Sequence, residues 1–311
     1  MTDDSISISR RRALAGLAGV AAAMSLPRFG RADDMATTSP ATAAVVQPKR
    51  YKIAACDWTM LKRQTPGAIT RAKEVGCDGV EVDMGPLSKN PTFDCKFLKD
   101  PTFVDKYLET CRNNGIEISS VAMSGYYAQS FPERDYEQPI KDCIATCKLL
   151  GVTRAFLPLG VSDVAERPWH YTTTVERLKR AGEWAAAAGV AIGVETVLNA
   201  ESTCHFLDDI GSPGIKCYYN FQNGVRSGRD LGKELTMLGK DRLLQIHPTS
   251  NDVYWLKDDP AIKMDKVKEA LDAMGWSGWL VIERSRDKDH GRDVVLNFGT
   301  NAKYLKSIFQ S

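Results

Sequence analysis

The chain has 311 residues, 43% of them apolar and 26% charged, which supports a sizeable buried core and excludes a disordered polymer. Its formal net charge is +2, yet the first 32 residues hold five arginines and two aspartates, leaving 36 basic against 37 acidic residues in the remainder. A body so close to neutral gives no electrostatic ground for DNA, RNA or anionic lipid as a partner.

The N-terminus reads as an address. Arg10-Arg11-Arg12 precedes an apolar, Ala/Gly-rich run from Ala13 to Met24, followed by Pro27 and the small residues Gly30 and Ala32 flanking Arg31. These are the three parts of an export signal, and the run is shorter than the ~20 apolar residues that span a bilayer. The paired arginines resemble a twin-arginine signal. Cleavage after Ala32, passage through the twin-arginine export machinery and a periplasmic or secreted location are therefore expected. Residues 33–49 read as a solvated linker.

From Tyr51 onward one pattern repeats: a short apolar strand, a polar break, an amphipathic helix, a glycine. Strands are expected near Ile53, Gly79, Glu117, Arg154, Ala191, Ile215, Arg242 and Trp279. Thr65-Pro66 signals the start of the first helix and Gly76 its end. A second helix runs from Thr172 to Gly189 on a stripe of Val175, Leu178, Ala181 and Ala185, and a third is capped by Asp265 and stopped by Gly275. Eight alternating units predict a single (β/α)8 barrel over residues 50–311. An open doubly wound sheet is the alternative fold, but Cys56-Asp57-Trp58-Thr59 stands where its glycine-rich phosphate loop belongs. Eight cysteines in an exported protein invite disulfides, yet Cys56, Cys77 and Cys217 fall in or beside strands and Cys111, Cys143 and Cys147 on helices. That placement predicts small core residues.

The chemistry gathers where strands end. The residues closing strands five to eight are Glu195, Asn220, His247 and Glu283, each directly after an apolar stretch. Taken singly, each is an ordinary salt-bridge, turn or core residue. Four ligand-type side chains at one depth in successive strands instead predict one divalent ion, Mn2+, Mg2+, Co2+ or Zn2+, at the barrel mouth.

With GVETVLNAE (193–201), YYNFQN (218–223), LLQIHPTS (243–250) and GWLVIERS (278–285), residues 51–309 resemble the xylose-isomerase-like, sugar phosphate isomerase/epimerase superfamily. The resemblance implies that Glu195 and Glu283 bind metal and also exchange protons on opposite faces of a sugar, as in ketose 3-epimerases. It implies a mouth-facing, substrate-contacting Glu81 and a Glu201 that either touches substrate or supports the metal ligands. Asn223 stands where epimerases carry a substrate-contacting histidine. Tyr126 and Tyr127, after strand three, are expected at the mouth. Arg284 and Arg286, after the last ligand, are expected either to hold substrate oxygens or to pair with neighbouring acids.

The departures are specific. Asn220 replaces the usual aspartate and removes one negative charge, and the arginine that epimerases place after their histidine is missing from Pro248-Thr249-Ser250-Asn251-Asp252-Val253. The implied reaction is proton abstraction beside a carbonyl through an enediolate, on a non-phosphorylated carbohydrate because the chain is exported. A β-eliminating lyase of 3-keto-glycosides and a non-catalytic sugar-binding barrel are the alternatives. The oligomeric state, a homo-oligomer included, stays open.

Overall fold

The computed structural model describes residues 49–160 and 162–311, so the expected signal (1–32) and all of the linker but its last residue lie outside the described residues. Eight parallel strands close into one barrel in sequence order. They are β1 (Tyr51–Cys56), β2 (Gly79–Asp83), β3 (Glu117–Ala122), β4 (Arg154–Pro158), β5 (Ala191–Glu195), β6 (Ile215–Asn220), β7 (Leu243–His247) and β8 (Gly278–Ile282). Pairing of β1 with β8, from Tyr51 opposite Gly278 to Ala55 opposite Ile282, closes the ring and rules out the open sheet.

The helices are α1 (Gly67–Glu74), α2 (Lys96–Lys99), α3 (Pro101–Asn114), α4 (Glu137–Leu150), α5 (Pro168–Ala187), α6 (Ala200–Ile210), α7 (Phe221–Arg226), α8 (Leu231–Arg242), α9 (Met264–Ala273) and α10 (Val294–Phe309). Three starts differ from the sequence reading. Pro168 occupies the first turn of α5 and begins it four residues before Thr172. Thr65 turns its hydroxyl back to the Lys62 carbonyl, so Pro66 is the cap residue of α1. Asp265 lies within the first turn of α9, where its charge still suits the helix dipole. Among the described residues, no helix is long and apolar enough to cross a membrane. All eight cysteines carry free thiols, seven of them buried.

Two apolar layers result. The outer one lies between strands and helices and includes Ile53, Val80, Val82, Val194 and Ile246. The inner one fills the barrel with Ala54, Cys56, Ala122, Phe156, Tyr218, Trp279 and Val281. Two glycines make room for the inner rings: a Cβ on Gly79 would come within 2.6 Å of the Trp279 ring, and one on Gly193 within 3.0 Å of Tyr218. Trp279 is thus core, as expected. Trp276 is buried as well, donating its indole N–H to the Leu243 carbonyl.

At the opposite end from the strand C-termini, Asp78 ties the start of the barrel to its last helix. It accepts from Lys49 Nζ (2.8 Å), Lys306 Nζ (2.9 Å), Gln310 Nε2 (2.7 Å) and the Ile53 N–H (3.0 Å). Burial alone would raise its pKa, but these donors outweigh it and lower the value from 3.8 to about 2. A depressed carboxylate stabilises the fold above its unfolded pKa and loses that contribution as pH falls through the folded one. After allowing for partial solvent contact, the contribution is on the order of 1 kcal/mol. Asp78→Asn is therefore expected to lower unfolding stability by about that much at neutral pH. In denaturant titrations the gap from wild type should close between about pH 4 and pH 2; a gap independent of pH would refute the assignment.

Candidate metal centre and active site

His247 closes β7 with both ring nitrogens against carboxylates. Nδ1 lies 3.1 Å from Glu195 Oε2 and 4.0 Å from Glu283 Oε2, while Nε2 lies 3.0 Å from Glu81 Oε1. The ring is enclosed, with Tyr218 at 4.4 Å and Phe156 at 4.8 Å between ring centroids. Burial would lower the imidazole pKa, but Glu195, Glu81 and Glu283 together push it up to about 10. Burial and the charge of Glu283 also raise the Glu195 carboxyl, although His247 and Asn220 pull the other way. Three carboxylates around one imidazole in a dry pocket make a strong sink for positive charge.

Glu81, expected to contact substrate, is the third of five residues in β2, fully buried and two residues short of the strand end. One oxygen faces His247 Nε2 and takes the Cys56 thiol at 3.4 Å. The other accepts from Tyr218 Oη at 2.9 Å and from the Ser120 hydroxyl. Gln245 Nε2 donates to Ser120 Oγ (3.1 Å) and Tyr218 Oη (3.0 Å), completing the network. A carboxylate on the far nitrogen of a histidine is the usual device for fixing the ring's tautomer toward a metal. Cys56, expected as a bland core residue, belongs to this lower layer, 3.7 Å from His247 Nε2.

Two donor groups thus share the one histidine. The lower group, Cys56, Glu81 and His247, is fully buried, and Glu81 Oε2 is already taken by Ser120 and Tyr218. The upper group, Glu195, Glu283 and the Nδ1 face of His247, lies at the strand ends. Two anionic oxygens and an imidazole nitrogen suit a divalent ion there. Asn220 fits less simply. Its amide nitrogen donates to Glu195 Oε2 (3.1 Å) and Glu283 Oε2 (3.2 Å), and its oxygen accepts from the Gln222 N–H (3.0 Å), capping α7. An amide nitrogen cannot ligate a cation, so Asn220 joins the ligand set only after its amide turns over.

Glu283 is held from two further directions, by Tyr127 Oη at 2.8 Å and Thr249 Oγ1 at 3.3 Å. Tyr127 stands at the mouth with 49% of its surface exposed, whereas Tyr126 is 1% exposed and packs edge-on against Phe93 and Phe131. The mouth position expected of Tyr126 is therefore filled by its neighbour. A turn of 3-10 helix at Ser124–Ala128 sets successive side chains about a third of a turn apart, so Tyr126 is buried while Tyr127 is half exposed. The hydroxyl end of Tyr127 is enclosed; burial and the charges of Glu195 and Glu283 push its pKa up. Trp58 stacks on Phe156 (6.4 Å, 11°), and Tyr127 leans on the same ring at 6.0 Å.

The remaining expected residues are not gathered here. Glu201 is exposed in the first turn of α6. Asn223 braces loops instead, donating to the Thr196 carbonyl at 3.1 Å and accepting from Arg229 at 2.6 Å through its own carbonyl. Arg286 pairs with Asp252, and the partly exposed Arg284 adds its charge to the same acid. Of the sequence candidates, then, the structure brings together Glu81, Tyr127, Glu195, Asn220, His247 and Glu283. Cys56, which closes β1, carries the same strand-end signal as the donors of β5–β8.

The family model for the xylose isomerase-like TIM barrel matches residues 69–308. The chain belongs to that family. Solved structures of the same fold include D-psicose 3-epimerase from Clostridium cellulolyticum H10 with D-tagatose (TM-score 0.64, 14% identity, covering 83% of this chain and 99% of that one). A sugar phosphate isomerase/epimerase from Parabacteroides distasonis also shares it (TM-score 0.65, 18% identity, 86% and 98%). So does the IOLI protein with a bound zinc atom (TM-score 0.62, 17% identity, 83% and 98%). No curated protein sequence matches the chain significantly. At these identities the structural likeness speaks for the fold, and the activity must be argued from the residues.

Replacing Glu81 with leucine is expected to weaken divalent-ion binding roughly 10–100-fold, read by titration calorimetry, because His247 loses its anchor. Glu81→Gln keeps an acceptor and should recover most of the affinity. Unchanged affinity in the leucine variant, with the fold intact by circular dichroism, would remove Glu81 from the site.

Proposed function

We propose that the chain is a divalent-metal-dependent carbohydrate isomerase or epimerase that moves a proton on a carbon beside a carbonyl. One observation carries this reading: Glu195 and Glu283, from the strands flanking β6 and β7, converge on the same Asn220 amide and the same face of His247. Two carboxylates meeting at one point supply a base and an acid for a single carbon.

Glu195, Glu283 and His247 would hold the ion, which when bound would polarise a carbonyl and its neighbouring hydroxyl. Glu283 keeps its orientation through Tyr127 and Thr249. One carboxylate takes the proton from carbon; return from the opposite face inverts that carbon, and return to the neighbouring carbon isomerises the sugar. The half-open ring of Tyr127 and the Trp58–Phe156 stack offer apolar faces to the C–H side of a sugar. An export signal over residues 1–32 would bring the chain to non-phosphorylated sugars, which supports a free sugar as the substrate.

A β-eliminating lyase is the second reading, favoured by Tyr127. Its hydroxyl donates to Glu283, and its ring is half exposed at the mouth. There the proton leaves carbon to a glutamate, the electron pair forms a C=C bond as the C–O bond breaks, and the departing oxygen takes a proton from Tyr127.

The test is solvent exchange. The full chain loaded with Mn2+ is incubated in D2O with free ketoses and with 3-keto-glycosides and followed by NMR. Deuterium is expected beside the carbonyl, with Glu283→Gln slowing its entry by roughly 10²-fold or more. An epimer or isomer supports the first reading, and a released aglycone the second. No exchange by protein with stoichiometric bound metal would overturn both.

A further inference from the structure

The Asn220 amide does something that an aspartate at the same place cannot. Its nitrogen lies 3.1 Å from Glu195 Oε2 and 3.2 Å from Glu283 Oε2, bridging the two carboxylates. Its oxygen is turned outward and caps the Gln222 N–H at 3.0 Å. Both ends of the amide are thus satisfied, in a side chain that is itself buried. Turning it over would set its oxygen against two carboxylate oxygens, a clash that a cation between them would relieve, and would give up the Gln222 cap by placing its N–H2 group against that N–H. Around this point lie Glu195, Glu283, His247 and, one layer down, Glu81, with Thr249 and Tyr127 also directed at Glu283.

We infer that Asn220 is a built-in stand-in for the divalent ion: it spaces and neutralises Glu195 and Glu283 while the ion is away, and must turn over before the ion can take its full ligand set. An aspartate here would add a third carboxylate to the upper cluster and leave the ion-free barrel strained by like charges. The asparagine instead keeps the two proton-handling groups in place without an ion, at the cost of weaker binding. It is a positioning residue, and its amide is coupled to the first turn of α7 through Gln222. The inference rests on the reading that the upper cluster takes a divalent ion, but its first consequence concerns the ion-free protein.

The test compares wild type with Asn220→Asp, which exchanges one N–H2 for an oxygen and retains the capping oxygen. In the presence of chelator the variant's thermal midpoint is expected about 5 °C or more below wild type at neutral pH. Added Mn2+ should raise the variant's midpoint further than it raises that of wild type, and calorimetry should show at least tenfold tighter binding. Asn220→Leu, which can neither bridge nor ligate, should share the ion-free loss and gain little from Mn2+. If ion-free Asn220→Asp melts at or above wild type, the inference is overturned, since aspartate would then be no worse a neighbour for Glu195 and Glu283. The same holds if Asn220→Leu matches wild type in chelator. Should wild type bind no Mn2+ at all while the ion-free losses appear, the bridging role stands and the metal-dependent reading of the site fails.

Discussion

One imidazole between two buried glutamates governs the interior of this barrel. A charged or half-charged ring cannot rest in a dry interior without partners on both sides, and each partner carboxylate then needs donors of its own. Glu81 finds them in Ser120, Tyr218 and Cys56; Glu195 finds one in Asn220. The polar column through the barrel centre follows from that single requirement. It also explains the placement of Tyr218 and Gln245: Tyr218 donates to the Glu81 carboxylate that His247 left partly bare, and Gln245 in turn donates to Tyr218 and Ser120.

The barrel supplies the means of gathering these groups. In parallel register, residues paired across neighbouring strands share a side of the sheet, so Asn220 and His247, partners between β6 and β7, point inward together. Glu195, paired with Pro158 of β4, and Glu283, one residue beyond β8, complete an arc over half the ring. Neither chain length nor local propensity could bring residues from 195 to 283 to one point; closure of the ring by β1 and β8 does.

Much of this could be read from the sequence because barrel units announce themselves locally. Apolar runs of five or six residues mark the strands, and Gly76, Gly189 and Gly275 stand just past helix ends at positive φ, where a side chain would be strained. The donors of β5–β8 were visible because each closes its apolar run. Depth was harder to read. Glu81 lies opposite Cys56 in register, two residues short of the end of β2, and strand stagger is fixed only when the ring closes. The choice between Tyr126 and Tyr127 depended on a 3-10 turn that no periodicity announces, and Glu201 took the direction that its place in the first turn of α6 gave it. The direction of the Asn220 amide lay wholly beyond the sequence, because neighbours distant in the chain decide which of its two ends faces them.

The two halves of the mouth are built of different materials. Strands β5–β8 carry acids, amide and imidazole, while Trp58, Tyr127 and Phe156 come from β4 and from the segments after β1 and β3. The aromatic side rests on ring contacts and the acidic side on hydrogen bonds, joined chiefly through Tyr127 and the edge of Phe156 against His247. Divergence can therefore proceed on one side at a time. A lineage that reshapes Trp58 or its turn alters the outline offered to a visiting molecule without disturbing a single donor to Glu81 or Glu195, so novelty in what is accepted need not endanger the chemistry performed.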